Sequence, residues 1–429
     1  MIGALCGLLL LGGVGGAQSW LEPSPSQPPS ETVPELSPAP ALRTEPLPSW
    51  PRETTLPEPR RRAFVPLRVG VVLSLSGDAQ QQGSAQRDAL EALARRWQQE
   101  SRLGGVGLEL TILDDRSSPE HAVVQAQTLF AQTGDDAVHA LICCTTSAAS
   151  EQVLPLAERA QVPTLALARA PQLSAGRAFW SFGVVPDERR LIQAMVLDMA
   201  AQGMEALALM APQGGLGDQA QQALDGLLVP GGLRLATSQR YPPEARVLTP
   251  EALLVATSQP GSVLLWGGPG DTRVALGGLR QRGFEGPVYL NPALLQTFPL
   301  RSRALAPRTT PTDGLSIAAP LSVADQLRAD HPNYAAVQRY RNSVAAPSLA
   351  GAYAWDALTL LNDAYELGLS YGISVDNPVT MRQLIRDTLI SGAPLAGVTA
   401  TFDFEQGDHT GVRGLVVVGL EPSGYRVLR

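Results

Sequence analysis

Hydroxyl-bearing residues that could bind an anion directly follow a valine-rich run early in the chain. Residues 69–75 have the length and composition of a buried strand. Ser74, Ser76 and Gly77 then interrupt the run. Apolar residues at helical spacing follow, at Leu90, Leu93, Ala94 and Trp97. A loop between a strand and a helix points hydroxyl and backbone N–H groups toward an anionic ligand, so Ser76 is a candidate ligand-binding residue.

Residue types that usually carry catalysis do not occur here in catalytic patterns. All 33 basic residues are arginine, which excludes a Schiff-base lysine and the phosphate-binding lysine of P-loop proteins and kinases. The four histidines lack metal-ligand spacing, and the glycine clusters lack the spacing of a dinucleotide-binding motif. Asp114 and Asp115 could do acid–base work or could lie solvated at a strand end. We therefore predict no enzyme activity, no metal centre and no cofactor.

Two of the three cysteines, Cys143 and Cys144, are neighbours at the end of an apolar run. Adjacent cysteines rarely bond to each other, because a disulfide requires a larger separation of the Cα atoms. We expect a buried strand end here rather than a redox or metal site.

Length and charge limit the class of protein. With 429 residues, the chain is long enough for two domains with substantial cores. The net charge of −7 and the lack of a basic run argue against nucleic acid as a partner.

The first 65 residues have a composition unlike the rest. We interpret residues 1–17, which are apolar and rich in glycine, as a signal peptide or membrane-targeting segment. Residues 18–65 are rich in proline and cannot bury enough apolar surface to fold. They are predicted to form a disordered tether.

Beyond this tether, short apolar strands alternate with amphipathic helices in two series. This alternation predicts an α/β fold with two doubly wound parallel-sheet lobes, joined by a hinge of several chain segments. The predicted first lobe contains residues 66–187 and 319–394. The predicted second lobe contains residues 188–318 and 395–429.

Several segments resemble the leucine/isoleucine/valine-binding protein family, in the same order along the chain. They include LRVGVVLSLSGDAQQQG, LICCTTSAASEQVLPLAERAQVPTLALARAPQL and TFDFEQGDHTG. This family comprises periplasmic substrate-binding components of ABC importers, with the type I two-lobe fold. The resemblance spans about residues 66–429.

The resemblance implies a set of ligand-binding residues. In that family, a hydroxyl residue after the third strand and groups after the fourth strand hold the ligand carboxylate. The matching positions are Ser147, with Thr146 beside it, and Ala168 with Arg169. The acid that pairs with the ligand ammonium matches Asp187. Hydroxyl residues between a strand end and a helix N-terminus suit an anion.

This chain departs from the family at other ligand positions. A second-lobe aromatic is replaced by Leu216, which stays a candidate ligand-binding residue, and a second-lobe glutamate is replaced by Ala293. Arg169 stands where the family has a hydroxyl, and Arg116 stands where it has a disulfide partner. An arginine gained and an acid lost favour an anionic ligand over an amino-acid zwitterion. Alternatively, Arg169 points to solvent at the rim.

The resemblance implies an extracytoplasmic solute-binding protein that closes on a small polar ligand bearing a carboxylate, an amino acid or a related compound. It would deliver this ligand to the permease subunits of an ABC importer, as a monomer and without nucleic acid. The expected location is periplasmic or extracytoplasmic, with a possible membrane tether at the N-terminus. The alternative is a tethered sensor or regulatory scaffold of the same fold that acts through a protein partner.

Limited proteolysis tests the boundary at residue 66. We expect a protease to trim the proline-rich segment and to leave a stable fragment of about residues 66–429, because periodic strands begin only there. Mass spectrometry of the fragments gives the boundary. A protected segment within residues 21–60 would contradict the prediction.

Overall fold

The computed structural model describes residues 66–100, 107–174, 178–228, 232–243, 245–292, 314–324, 327–370, 377–391, 393–404, 409–421 and 424–428. The predicted signal segment and tether lie outside these residues. No helix in the described part of the chain is both long and apolar enough to cross a bilayer.

The strands are short, as the apolar runs predict. They are β1 Leu67–Leu73, β2 Leu108–Asp114, β3 Ala140–Cys143, β4 Thr164–Ala166, β5 Ser181–Gly183, β6 Ala206–Pro212, β7 Arg234–Tyr241, β8 Ser262–Leu265, β9 Val288–Leu290, β10 Leu315–Ala319, β11 Leu395–Ala396, β12 Thr401–Phe402, β13 Val412–Arg413, β14 Val416–Glu421 and β15 Gly424–Val427.

The helices fill the intervals between the strands. They are α1 Gln80–Gln99, α2 Pro119–Phe130, α3 Ser147–Ala160, α4 Pro171–Ser174, α5 Glu188–Ala201, α6 Gly215–Asp225, α7 Thr249–Thr257, α8 Pro269–Gln281, α9 Tyr334–Ser343, α10 Leu349–Ser370 and α11 Pro378–Ser391.

The first sheet is parallel throughout, with the strand order β2-β1-β3-β4-β5. Strand β1 is buried along almost its whole length because helices cover the sheet, which explains its continuous apolar sequence. Strands β1 and β3 are neighbours, so the loops that follow them leave the same edge of the sheet side by side. Ligands of open α/β sheets bind at this edge.

The second sheet has the order β15-β14-β10-β9-β8-β6-β7. Strands β6 to β10 are parallel, whereas β14 runs antiparallel to β10 and pairs with β15. In its described part, the chain therefore crosses between the two sheets three times: before α5, after β10 and before β14. The predicted fold class, with two α/β lobes and several joining segments, is confirmed.

A small antiparallel sheet, β11-β12-β13, lies between the last helix and β14. The N–H of Gly183 in the first sheet donates to the carbonyl of His409, at 2.7 Å. Asn333 donates to the carbonyls of Gly397 and Ala400, at 2.8 and 3.0 Å. The lobe boundaries predicted from the sequence place residues 395–429 in the second lobe. In the structure, β14 and β15 pair in the second sheet, while His409, which precedes them, contacts the first sheet.

Helix α10 holds the turn that precedes β12 through one buried carboxylate. Asp356 is 1% exposed. It accepts hydrogen bonds from the N–H groups of Val398 and Thr399, at 2.6 and 2.8 Å, and from the Thr399 hydroxyl, at 2.5 Å. Because α10 also packs along α1, this carboxylate links the turn to the helix layer of the first sheet.

Helix α1 approaches the end of β1 so closely that only glycine fits at Gly83. A Cβ atom there would lie 2.6 Å from the carbonyl carbon of Ser74. This contact sets the distance between the first turn of α1 and the loop after β1.

A matched pair of substitutions tests this close approach. Gly83→Ala should lower the free energy of unfolding by about 1–3 kcal/mol, as overpacking does. Gly277→Ala, at an exposed position of α8 with no atom within 4 Å of the added Cβ, should raise it by about 0.5–1 kcal/mol. Thermal melts of the full chain measure both. A Gly83→Ala protein as stable as the wild type would show that α1 can move away from Ser74.

Candidate functional site

The loop after β3 begins helix α3 with two hydroxyl residues. Thr146 is the N-cap, and its Oγ1 accepts from the N–H of Ala149, at 3.3 Å. Ser147 is the first helical residue, and its side chain is exposed. A helix N-terminus with free N–H groups and a partial positive charge attracts an anion.

A hydrogen-bonded chain behind this loop joins three elements. The N–H of Ser74, after β1, donates to the hydroxyl of Thr145, at 3.0 Å. That hydroxyl donates to Oε1 of Gln86 on α1, at 2.7 Å. All three residues are buried. This chain therefore fixes the relative positions of the β1 loop, the β3 loop and helix α1.

A cavity of about 230 Å³ lies at this edge of the first sheet. Its lining comes from α1, the loops after β3, β4 and β5, and α10: Gln82, Gln86, Thr145, Thr146, Ser147, Leu167, Ala168, Arg169, Val185, Ala350 and Tyr353. Four of the seven sequence candidates, Thr146, Ser147, Ala168 and Arg169, therefore line one cavity. Burial raises the pKa of the Tyr353 phenol above its ordinary value, so this side chain stays neutral.

Arg169 forms an ion pair with Glu188, the first residue of α5. The side chains are 26% and 15% exposed, so water screens the pair only in part. The two charges cancel, and the cavity thus has a weaker positive potential than a lone arginine would give it. The guanidinium still has N–H groups beyond the Nη1 donor that contacts Glu188.

The other three candidates lie outside the lining of this cavity. The Ser76 hydroxyl donates to Asp114, at 2.7 Å. Burial alone would raise the pKa of Asp114, but hydrogen bonds from Ser76 and from backbone N–H groups lower it below its ordinary value. Asp187 is the N-cap of α5 and accepts from the N–H of Arg190, at 2.8 Å. Leu216 packs against the core of the second sheet.

Sequence reasoning missed Gln82, Gln86, Thr145 and Tyr353. A signal was present for the two glutamines, since residues four apart lie on one face of a helix and α1 follows the hydroxyl loop. Thr145 directly precedes the two hydroxyl residues that were identified.

Cys143 and Cys144 form a disulfide at the end of β3, and both are fully buried. The expectation of a buried strand end is met. The peptide between them is cis, and their Cα atoms lie 3.1 Å apart.

In the described part of the chain, no group of three or more His, Cys, Asp or Glu residues could hold a metal ion.

Comparison with known families decides the classification. Residues 66–425 match the family described as periplasmic binding protein. The chain belongs to the periplasmic binding protein family. The match covers most of the chain and confirms the resemblance drawn from the sequence. These are binding proteins without catalytic activity, so the prediction of no enzyme activity is confirmed, and membership implies an extracytoplasmic location.

Solved structures of several transport and ligand-binding proteins have the same fold. A putative branched-chain amino acid ABC transporter from Rhodospirillum rubrum is 19% identical, with a TM-score of 0.70, covering 85% of this chain and 100% of that one. An extracellular ligand-binding receptor from Rhodopseudomonas palustris HaA2 is 22% identical, with a TM-score of 0.66 and coverage of 85% and 100%.

A third structure is described as a complex with Leu. It is an ABC transporter substrate-binding protein from Desulfitobacterium hafniense, 17% identical, with a TM-score of 0.64 and coverage of 84% and 99%. At these identities the likeness concerns the fold. No curated protein sequence matches this periplasmic binding protein.

The exposed hydroxyl of Ser147 provides a test of the cavity. Ser147→Ala should weaken binding of a carboxylate ligand by about 1–2 kcal/mol, or roughly tenfold, because one hydrogen bond to a charged group is lost. Isothermal titration measures the change. Ser391→Ala removes an exposed hydroxyl at the end of α11 and is the control. Equal affinities of the two variants would place the ligand elsewhere.

Proposed function

We propose that this protein is an extracytoplasmic solute-binding protein that delivers a small polar ligand bearing a carboxylate to an ABC importer. The ligand is an amino acid or a related acid, and the two lobes close on it by a hinge motion. The observation that carries the proposal is the cavity at the N-terminus of α3, where four candidates from two separate loops come together.

The polar groups of this cavity suit an anion. The first-turn N–H groups of α3 and the Ser147 hydroxyl are donors, and the lining contains no carboxylate among the described residues. The acid beside the lining, Glu188, already pairs with Arg169, which disfavours a ligand ammonium on this side. Asp187, the acid expected in that role, instead caps α5.

Arg169 contributes to this preference less than its charge suggests, because Glu188 already pairs with it. A ligand carboxylate can use the remaining guanidinium N–H groups without breaking the pair. The ligand class therefore depends mainly on the donors of α3 and on the missing acid, with Arg169 as a further donor at the edge.

Hinge closure is supported by the three chain segments that join the two sheets. A second, smaller cavity of about 20 Å³ shares Arg169, Val185 and Tyr353 with the first, and Leu191 and Pro292 also line it. Rotation about the joining segments would bring such second-lobe residues against a bound ligand.

The second candidate function is a tethered sensor or regulatory scaffold that acts through a protein partner. It is favoured by the lining of the larger cavity, which comes entirely from the predicted first lobe. Leu216, which stands where the family has an aromatic, is partly buried and packs against the core of the second sheet. The proline-rich segment before residue 66 also suits a tethered protein.

The remaining parts of the proposal concern location and partners. Residues 1–17 would direct export or anchor the chain, and residues 18–65 would form the tether. The protein would act as a monomer, contact the permease subunits in the membrane and bind no nucleic acid, in keeping with its net charge of −7.

A thermal-shift panel tests the ligand class. Each pair contains an amino acid and the acid that lacks its α-amino group. A ligand at 100 times its Kd should stabilise the protein by about 2.7 kcal/mol, which a melting curve detects. We expect the acid without the amino group to give the larger shift in each pair.

Two variants accompany the panel. Arg169→Ala should reduce the shift given by the acids. Arg95→Ala removes a surface arginine that pairs with Glu91 at 3.4 Å and should leave the shift unchanged. If the amino acid gives the larger thermal shift in every pair and Arg169→Ala leaves the shifts unchanged, the proposed ligand class is wrong. If no compound shifts the melt, the scaffold function is favoured instead.

A further inference from the structure

Gln86 is a buried polar side chain that faces the cavity. It is only 2% exposed, although it lines the open space beside α1. A buried amide needs partners for both its oxygen and its nitrogen, because an unsatisfied polar group costs free energy. The structure supplies a partner for the oxygen.

The hydrogen-bonded chain fixes which way the amide points. The Ser74 N–H can only donate, so at the 3.0 Å contact the Thr145 oxygen accepts. The Thr145 proton is then free to donate, and at 2.7 Å it meets Oε1 of Gln86. In this arrangement Thr145 accepts from Ser74 and donates to the amide oxygen of Gln86. The NH₂ group lies on the other side, and no described residue accepts from it.

We propose that Gln86 is a specificity-determining residue whose Nε2 donates a hydrogen bond to an acceptor oxygen of the ligand. The inference rests on the function proposed above and narrows its ligand class. An oxygen of a carboxylate or carbonyl completes the amide, and a ligand ammonium at this position does not.

The selection follows from hydrogen-bond polarity. An amide NH₂ has two donors and no acceptor, and an ammonium also has donors only. Placing one against the other leaves both groups without a hydrogen-bond partner in the cavity. A site built to pair with one kind of group discriminates strongly against a ligand that lacks it. Gln86 and the N-terminus of α3, which both present donors, would therefore select the same end of the ligand.

Two variants of Gln86 separate the donor from the rest of the side chain. Gln86→Glu keeps an acceptor oxygen for Thr145 and replaces the NH₂ donors with a second oxygen. Gln86→Met keeps the length of the side chain without a donor or a charge. Gln81→Glu adds the same charge at an exposed position of α1 and is the control. The ligand-free melting temperature of each variant checks its folding.

Affinities are measured for the acids of the panel and for three compounds of matched shape. Among these, 4-methylpentanoate carries only a carboxylate, leucine carries a carboxylate and an ammonium, and 3-methylbutylamine carries only an ammonium. We expect the wild type and Gln81→Glu to prefer 4-methylpentanoate. Gln86→Met should bind it about tenfold more weakly, and Gln86→Glu should lose more, because a carboxylate would face a carboxylate.

The outcomes distinguish this inference from the proposed function. If the wild type binds acids of the panel and both Gln86 variants bind them within twofold of Gln81→Glu, the assignment to Gln86 is wrong and the function stands. If the wild type binds only the amino acids of the panel, the inference is wrong and the function stands. If it binds neither the acids nor the amino acids, the function is wrong and the inference falls with it. Should Gln86→Glu fail to fold, the uncharged Gln86→Met alone decides.

Discussion

The hydrogen bond from the Ser74 N–H to the Thr145 hydroxyl joins the loops after two neighbouring strands, and the cavity depends on it. In a parallel sheet these loops emerge side by side, but nothing in the sheet itself fixes the distance between their side chains. The bond provides this constraint, and Gly83 lets α1 come close enough for Gln86 to extend it. The loop after β1, the loop after β3 and helix α1 are thereby held at fixed distances from one another.

Much of the fold could be predicted because its signals are local. Continuous apolar runs identify strands that helices cover on both faces, and strict alternation of strands and helices implies parallel sheets. Thr146, Ser147, Ala168 and Arg169 were also accessible, since they directly follow β3 and β4 and the family resemblance marks those loops. The spacing of Gln82 and Gln86 places both on one face of α1, but the orientation of the Gln86 amide depends on a tertiary contact with Thr145, 59 positions away.

Two of the candidates outside the cavity lining have local partners that a strand–helix pattern does not show. Ser76 is next to the end of β2, where its hydroxyl donates a hydrogen bond to the Asp114 carboxylate. Asp187 is used by the backbone of its own helix, a frequent role for an aspartate before a first turn. Its neighbour Glu188 pairs with Arg169 instead. Of these two consecutive acids, Asp187 therefore caps the helix, and Glu188 lies beside the cavity.

The turn held by Asp356 also couples folding to proton binding. Burial raises the pKa of Asp356 to about 7 from its ordinary value of 3.8, against the opposing effect of hydrogen bonds from Thr399 and Val398. Between these two values the folded chain holds a proton that the unfolded chain has released. Folding therefore takes up a proton in this range, and the contribution of Asp356 to stability declines as the pH rises through it. Outside the cytoplasm, where the pH follows the surroundings, a mildly acidic medium would therefore raise the contribution of Asp356 to the free energy of unfolding.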